Sequence, residues 1–420
     1  MTTGRENRLE AVTEGHRVTT LELFFDLVFV YAITQVTTLM NKNLGLEGLA
    51  QGLLLLGVLW WCWCCYAWLG TTIRADEGVA RLTLLAAMAV MFLAALTIPE
   101  AFDDLKGGLY APLLFVGCYF MVRLLHLVGY LTAAHSAGDA DLLAVLGRVV
   151  PSMMAGTLLL GAGAFVGGQV QLALWAAALV IDYGGVYLAG TGGWRIPSPA
   201  HFAERHGLII IVAIGESIIA IGVGVAGLPV SWLVVVTAVL GLMITASIWW
   251  MYFDVAAIIA ERRLAMLDGA ARISMARDSF TYLHLPMIGG VVLLALGLKK
   301  ALLYVADTAH HSPAEALHGL PAWALTGGVA SFMVAHSAFR RRNIGGWNRQ
   351  RLVTAALLLV ATPVVERVPA AVAVGMVAAV CVLLICYERL RFGALRQEIR
   401  ETPHRHEPIM RFLSRRTEPK

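Results

Sequence analysis

The sequence predicts an all-α fold, a polytopic integral membrane bundle of about twelve transmembrane helices. Of its 420 residues, 59% are hydrophobic and only 14% are charged, and the mean hydropathy is +0.73. That composition lies far from the average of soluble globular domains. Apolar windows of about 20 residues recur along nearly the whole chain, and each is long enough to cross a hydrocarbon core of about 30 Å as a helix.

The apolar windows place the predicted helices in order along the chain. Their estimated ranges are 18–40, 48–70, 79–98, 110–133, 144–166, 170–190, 206–226, 231–253, 277–298, 321–340, 350–365 and 369–390. The transmembrane domain therefore covers 18–390, between an N-terminal segment (1–17) and a basic tail (391–420). Residues 1–17 mix Arg and Glu and are followed by no cleavage site for a signal peptidase, so the first helix is expected to act as the membrane signal.

Loop charges predict the orientation of the chain. Thirteen Lys and Arg residues, Arg205 and Arg351 among them, fall on one side of the membrane, against five on the other. The positive-inside rule then places both termini in the cytoplasm, and we expect the protein in the cell (cytoplasmic) membrane. Weak similarity between the first and last six helices, such as Phe-Met-Val at 120–122 and 332–334, suggests a 6+6 internal repeat.

Ionisable residues inside the apolar windows are the main functional signal, because a charge at the centre of a membrane helix costs about 2.5–3.5 kcal/mol on insertion scales. Glu22 and Asp26, four residues apart, share one face of the first helix. With the predicted orientation, nearly all such residues fall in the cytoplasmic half, as a polar cavity open to the cytoplasm would require. The candidate site comprises Glu22, Asp26, Arg123, His126, Asp182, Glu204, His206, Glu216, Asp254 and His284.

Particular roles follow from position. Arg123 is the expected counter-ion of Asp26 or Asp182, and a histidine such as His126 could exchange protons near neutral pH. Glu216, nearest the midplane, is a candidate proton carrier. The alternative is that each of these side chains only forms a structural hydrogen bond between helices. Close helix approach is predicted at the small residues Gly215, Gly222 and Gly224.

Two aromatic clusters have two interpretations. Trp60 and Trp61 end the second apolar window, and Trp249 and Trp250 end the eighth. Tryptophan is common at membrane interfaces, so these residues could anchor helix ends. They could instead line a pocket for a cation or an unsaturated lipid.

Metal and cofactor sites are not predicted. The six cysteines lie in apolar segments and are expected to be reduced. The run Trp61-Cys62-Trp63-Cys64-Cys65 and the group His201, Glu204 and His206 resemble metal-ligand clusters only loosely. Anionic membrane lipids are the expected partners of the basic tail, nucleic acid is not, and the oligomeric state is undetermined.

Three segments resemble the bacterial low-temperature-requirement A (LtrA) family. They are the run from Leu21 to Val30, the run from His201 through Glu216-Ser217, and the run from Trp249 to Asp254. The resemblance covers about residues 17–390. It implies an integral membrane protein, assigns no catalytic residues, and carries a name that records a need for growth in the cold.

Three functional hypotheses follow. The first is a proton-linked transporter or permease that moves a small solute or ion. The second is an intramembrane enzyme that uses Asp26, Asp254 or Glu216 as a general acid on a lipid or isoprenoid. The third is a non-catalytic membrane scaffold. The sequence does not decide whether the protein is an enzyme.

Overall fold

The computed structural model describes residues 17–74 and 78–401, and helices connected by short loops make up this part of the chain. No β-strand is formed within these residues. Ten helical segments of the described chain are long and apolar enough to cross a membrane. The predicted all-α membrane bundle is therefore confirmed.

Fourteen α-helices are described in these two ranges. They are α1 (Thr20–Lys42), α2 (Leu46–Leu69), α3 (Gly78–Thr97), α4 (Ala111–Ala137), α5 (Ala140–Val166), α6 (Gly168–Leu188), α7 (Pro199–Gly224), α8 (Trp232–Phe253), α9 (Ala256–Ala265), α10 (Gly269–Met275), α11 (His284–Ala306), α12 (Leu320–Ile344), α13 (Arg349–Val365) and α14 (Ala370–Glu401). A 3-10 turn (Ile98–Glu100) follows α3, and a π-helical segment (Ala276–Tyr282) precedes α11.

Each predicted range overlaps one of these helices, but three features differ from the prediction. The region 254–276, which separates two of the predicted helices, contains the short helices α9 and α10. Helix α14 continues to Glu401, past the predicted end at 390. Helices α12 and α13 are not among the ten candidate spans. Helix α13 has only 17 residues, whereas a span needs about 20. The count of twelve spans stays a prediction.

Two compact units divide the chain. The first comprises the described residues up to Arg205 together with Asp268–Ser274, and the second comprises His206–Leu267 and the described residues from Met275 onward. Helix α7 contributes residues to both units. The boundary lies near the middle of the chain, as a duplication would require, but the division alone does not establish a repeat, which also stays a prediction.

A capping box fixes where α1 begins. The Thr19 hydroxyl accepts a hydrogen bond from the Glu22 N–H at 3.3 Å, and the Glu22 carboxylate accepts one from the Thr19 N–H at 2.9 Å. Both bonds satisfy N–H groups that a helix terminus leaves without partners. The cap therefore places one of the two predicted acids in the first turn of α1, and Asp26 one turn further on.

Close backbone contact between α11 and α12 forms the centre of the second unit. A Cβ atom added at Gly290 would lie 2.7 Å from the Gly328 carbonyl oxygen, and one added at Gly297 would lie 2.5 Å from the Leu325 nitrogen. By contrast, a Cβ atom at Gly215 or Gly222 meets no described atom within 4 Å. The prediction of close approach was therefore wrong for these two glycines, because their open sides do not face a neighbouring helix of the described chain. It is confirmed for Gly224, where an added Cβ atom would lie 2.7 Å from the Lys299 carbonyl oxygen.

Gly290→Val should destabilise the protein by about 1–3 kcal/mol or more, because the side chain has no space between the backbones of α11 and α12. Thermal unfolding of the purified protein in detergent measures the change. Gly222→Ala is the matched control and should be neutral or slightly stabilising, since alanine favours a helix over glycine by about 1 kcal/mol. Equal effects of the two substitutions would contradict the close packing.

Candidate functional site

Most of the candidate site residues are buried. Eight of the ten have little or no exposed surface, namely Glu22, Asp26, Arg123, Asp182, His206, Glu216, Asp254 and His284. His126 is half-buried and Glu204 is exposed. Burial without a partner would be costly for each charged group, so the partners of these side chains define what the sites can do.

Glu22 and Asp26 face two basic residues of α7 with the same spacing. His201 Nε2 lies 3.1 Å from both carboxylate oxygens of Glu22, and Arg205 Nη2 donates to Asp26 Oδ1 at 3.0 Å. Arg205 Nη1 also lies 3.6 Å from Glu22 Oε1. All four side chains are at most 4% exposed. We call these four residues the acid–base network.

The four-residue spacing within each pair explains how the acid–base network forms. Residues four apart lie one above the other on a helix face, so the pair on α1 meets the pair on α7 residue by residue. Glu204 lies between His201 and Arg205 in sequence and therefore points elsewhere; its carboxylate accepts from the Val18 N–H at 3.4 Å. The structure does not bring Glu204 into the network.

Helix α2 supplies an aromatic wall to the same network. Trp63 Nε1 donates to Asp26 Oδ1 at 2.9 Å, and the Arg205 guanidinium lies 5.5 Å from the centre of the Trp63 ring. Trp60 stacks on Trp63 with ring centres 5.0 Å apart. Trp60 and Trp61 are both 3% exposed, so inside this unit they pack against protein, and whether they line a pocket stays a prediction.

One oxygen of the acid–base network has no partner. Both donors to Asp26 bind Oδ1, and Oδ2 is buried without a hydrogen-bond partner among the described residues. A cavity of about 20 Å³, lined in part by Glu22, Tyr66 and Arg205, adjoins the network. That volume is enough for about one water molecule. The cavity thus has room for a water molecule beside Glu22 and Arg205, but no room for an organic substrate.

A second ion pair in the first unit is fully balanced. Arg123 Nη2 donates to Asp182 Oδ1 at 2.9 Å, and the Tyr119 hydroxyl donates to Asp182 Oδ2. Arg123 also donates to Cys65 Sγ, and its guanidinium lies 5.8 Å from the Trp61 ring centre. Of the two counter-ions considered for Arg123, the structure gives Asp182. One cation, one anion and a neutral phenol leave no demand for an extra proton.

His126 does not join that ion pair. Its ring packs against Tyr66 and Tyr130, with ring centres 5.9 and 5.0 Å away. Proton exchange by His126 stays a prediction.

His284 in the second unit is held in one tautomer. Its Nδ1 lies 2.9 Å from the Ser279 carbonyl oxygen, which can only accept, and its Nε2 lies 2.8 Å from the Tyr252 hydroxyl. Nδ1 therefore carries the hydrogen and Nε2 accepts from the tyrosine. The His206 ring packs edge-on against His284 and Phe280. These two histidines form a packed aromatic group.

Glu216 lies within electrostatic reach of Lys299 on α11. The carboxylate is 2% exposed, and the lysine is only partly buried. A nearby ammonium group lowers the cost of a buried carboxylate. Glu216 is thus buried as predicted. Its neighbour Lys299 is one of the five cations that the loop charges place on the side of the membrane opposite to the cytoplasm.

Asp254 belongs to a third ion network, at the ends of α8, α13 and α14. Arg396 donates to Asp254 Oδ2 at 2.7 Å and to Glu388 Oε2 at 2.5 Å, and Arg400 donates to Asp254 Oδ1 at 3.0 Å. Arg351 binds Glu388 through two parallel hydrogen bonds of 2.9 and 2.8 Å. Its remaining nitrogen donates to the Met251 carbonyl oxygen at 3.1 Å.

A cavity of about 380 Å³ adjoins this third network, and we call it the Arg351 cavity. Asp254, Glu388 and the three arginines Arg340, Arg351 and Arg396 line one part of it. Trp250 lines it as well, whereas Trp249 is 45% exposed. No group of three or more His, Cys, Asp or Glu side chains that could hold a metal ion is found within residues 17–74 and 78–401.

The model of the bacterial low temperature requirement A protein (LtrA) family matches residues 17–386 of the chain. The chain belongs to the LtrA family. One relative is "Uncharacterized protein RA0937" of Rhizobium meliloti (strain 1021), which is 28% identical over 296 residues, 66% of this chain and 67% of the relative. No solved structure matches the chain. The predicted resemblance is confirmed, and the protein is a multi-pass membrane protein.

Sequence reasoning missed several residues of the LtrA-family protein that complete these networks. They are Trp63, Tyr119, His201, Arg205, Arg351, Glu388 and Arg396. Arg205 and Arg351 were counted as loop charges, yet they are 1% and 4% exposed. The sequence held a usable signal for the first unit, since His201 and Arg205 repeat the spacing of Glu22 and Asp26.

Arg123→Met should destabilise this LtrA-family protein by about 3–5 kcal/mol, because it leaves the Asp182 carboxylate buried without its cation. Removing both charges in Arg123→Met/Asp182→Leu should cost less than removing Arg123 alone. Thermal unfolding in detergent, compared across the two single variants and the double variant, measures the coupling. A double variant that loses the full sum of the two single losses would contradict a closed structural pair.

Proposed function

We propose that this LtrA-family protein is a proton-linked transporter or permease of the bacterial cytoplasmic membrane, and that its acid–base network exchanges one proton during transport. The observation that carries the proposal is the charge balance of the network. Glu22 and Asp26 supply two negative charges, and Arg205 supplies one permanent positive charge in the same buried space. His201 completes the set as a side chain that can be neutral or charged.

The proton count follows from this balance. With a neutral imidazole, the buried network holds one uncompensated negative charge, and a buried net charge is expensive. One additional proton, on His201 or on either carboxylate, removes that charge. Two states that differ by a single proton are therefore available within one set of side chains, which is what proton coupling requires.

A change in protonation also changes which bonds join α1 to α7. A protonated Asp26 has less attraction for Arg205, and a protonated Glu22 accepts less strongly from His201. Both bonds link the same two helices. Proton uptake would thus change the strength of the contact between α1 and α7. A proton-linked transporter needs protonation to change the relative stability of its conformations in this way.

Two observations favour transport over the enzyme hypothesis. The cavity beside Glu22 and Arg205 holds about one water molecule, which is too small for a lipid or isoprenoid. At the Arg351 cavity, each oxygen of Asp254 and Glu388 already accepts from at least one arginine. Carboxylate oxygens that already accept from guanidinium groups are poorly placed to donate a proton to a substrate.

The proposed orientation has both termini in the cytoplasm. It rests on the loop-charge pattern, which persists when the buried Arg205 and Arg351 are left out, since eleven cations then remain against five. In this orientation the acid–base network, near the start of α1, lies in the cytoplasmic half of the membrane. Anionic lipid headgroups are the proposed partners of the exposed basic residues.

Purified protein in liposomes tests the proposal directly. A pH-sensitive dye inside the vesicles reports proton movement while a panel of solutes is added under pH gradients of both polarities. We expect at least one solute to move protons in wild-type vesicles and none to do so in empty vesicles. Absence of flux across the panel in both directions would contradict the transporter and favour the scaffold.

Asp26→Asn should slow gradient-driven uptake by about tenfold or more, because transporters use such intramembrane carboxylates as proton carriers. Exchange of labelled for unlabelled solute needs no net proton movement and should persist in the same variant. Glu204→Gln is the matched control, because this carboxylate lies between His201 and Arg205 in sequence but is exposed. Equal loss of uptake and exchange in Asp26→Asn would point to a structural role and contradict proton coupling at Asp26.

A further inference from the structure

The Arg351 cavity combines charged and apolar surfaces in a volume suited to a small molecule. Its volume of about 380 Å³ lies within the range of about 300–1,000 Å³ that is usual for ligand pockets. Charged side chains of α13 and α14 line one part, and Met251, Phe339 and Ile344 are among the apolar residues that line the rest. The surface therefore suits a molecule with one polar end and one apolar body.

The carboxylates of this cavity are not available to a cation. Glu388 Oε1 accepts from Arg351 and Asn348, and Oε2 accepts from Arg351 and Arg396. Both oxygens of Asp254 accept from arginines as well. A cationic ligand would have to displace guanidinium groups from these bonds, which are among the stronger hydrogen bonds in proteins.

Donors, in contrast, remain unused beside the cavity. The Trp250 indole nitrogen and the Asn343 amide nitrogen are both buried, and neither has an acceptor among the described residues. The other end of the Asn343 amide is occupied by the Ser279 hydroxyl, so one end of this amide stays unpaired in either orientation of the group. Buried donors without acceptors are rare, because each costs about 1–3 kcal/mol.

Net charge favours the same kind of ligand. The cavity is lined by three arginines, Arg340, Arg351 and Arg396, and a fourth, Arg400, binds Asp254. Its lining includes three carboxylates, those of Asp254, Glu388 and Glu398. The surplus is one positive charge. An anion would balance it and would also bring the acceptor oxygens that the two donors lack.

We propose that the Arg351 cavity binds a small organic anion, a carboxylate or a phosphate monoester. Its oxygens accept from Trp250 and Asn343 after a small adjustment of these side chains, and its apolar body packs on Phe339 and Ile344. The claim that this cavity is the substrate site of a transporter rests on the proposed function. Binding itself does not, and it can be measured without any gradient or flux.

Isothermal titration calorimetry on the full-length protein in a neutral detergent tests the site with three matched probes: hexanoate, hexyl phosphate and hexylammonium. We expect one or both anions to bind and the cation to bind at least about tenfold more weakly, because only anions supply acceptors and balance the charge. The two anion arms distinguish a carboxylate from a phosphate ligand. Equal or tighter binding of hexylammonium would overturn the proposal, as would absence of binding by both anions.

Trp250→Phe should weaken binding of the anion by about tenfold to hundredfold, because it removes a donor to a charged acceptor while it keeps an aromatic ring at this position. Asn343→Leu should have a similar effect. Trp249→Phe is the control, since this neighbouring tryptophan is 45% exposed and does not line the cavity, and it should bind as the wild type does. If Asn343→Leu fails to fold, Trp250→Phe decides alone, and unchanged affinity in it would overturn the site.

The two proposals can fail separately. Anion binding that depends on Trp250, with no flux in liposomes, would uphold the site and contradict the transporter. Proton-coupled flux of a cation or a neutral solute, with no anion binding, would uphold the transporter and contradict the Arg351 cavity as an anion site.

Discussion

The pairing of buried carboxylates with arginine and histidine is the constraint on which the rest of this structure depends. An apolar helix bundle offers almost no solvent to an ionised side chain, so each acid within it must meet a cation or a donor. Glu22 and Asp26 meet His201 and Arg205 across two helices. These pairs fix how α1 and the start of α7 face each other, since a one-residue rotation of either helix would break both pairs at once.

The buried ion networks differ in their charge balance, and this difference separates their roles. The Arg123–Asp182 pair is neutral, and both carboxylate oxygens of Asp182 have a donor, so the pair acts as a brace between α4 and α6. The acid–base network has one negative charge in excess and can be balanced by a proton. The network around Arg351 has positive charge in excess, an adjoining cavity and unpaired donors. We therefore propose that similar residue types serve stability, proton exchange and ligand binding according to their count and their spare hydrogen bonds.

Particular residues show how far the sequence could predict these sites. Glu22, Asp26, Asp182 and Glu216 were predicted to be buried because each interrupts a long apolar run, and each is buried. Arg351 was missed because it lies two residues inside a helix end, where a charge is usually solvated, and only the carboxylate of Glu388 on another helix gives a reason for its burial. Arg396 and Arg400 were read as part of a lipid-binding tail, but they bind Asp254.

The sequence alone determined the helical class, the membrane location of the bundle and the identity of most buried acids, because these depend on local composition and on the length of apolar runs. Tertiary structure decided which cation each acid meets. It also separated Glu204 from the acid–base network and opened a cavity beside Arg351. Partner choice depends on which helix faces come together, and residues 179 positions apart, such as Asp26 and Arg205, leave no local signal of their contact.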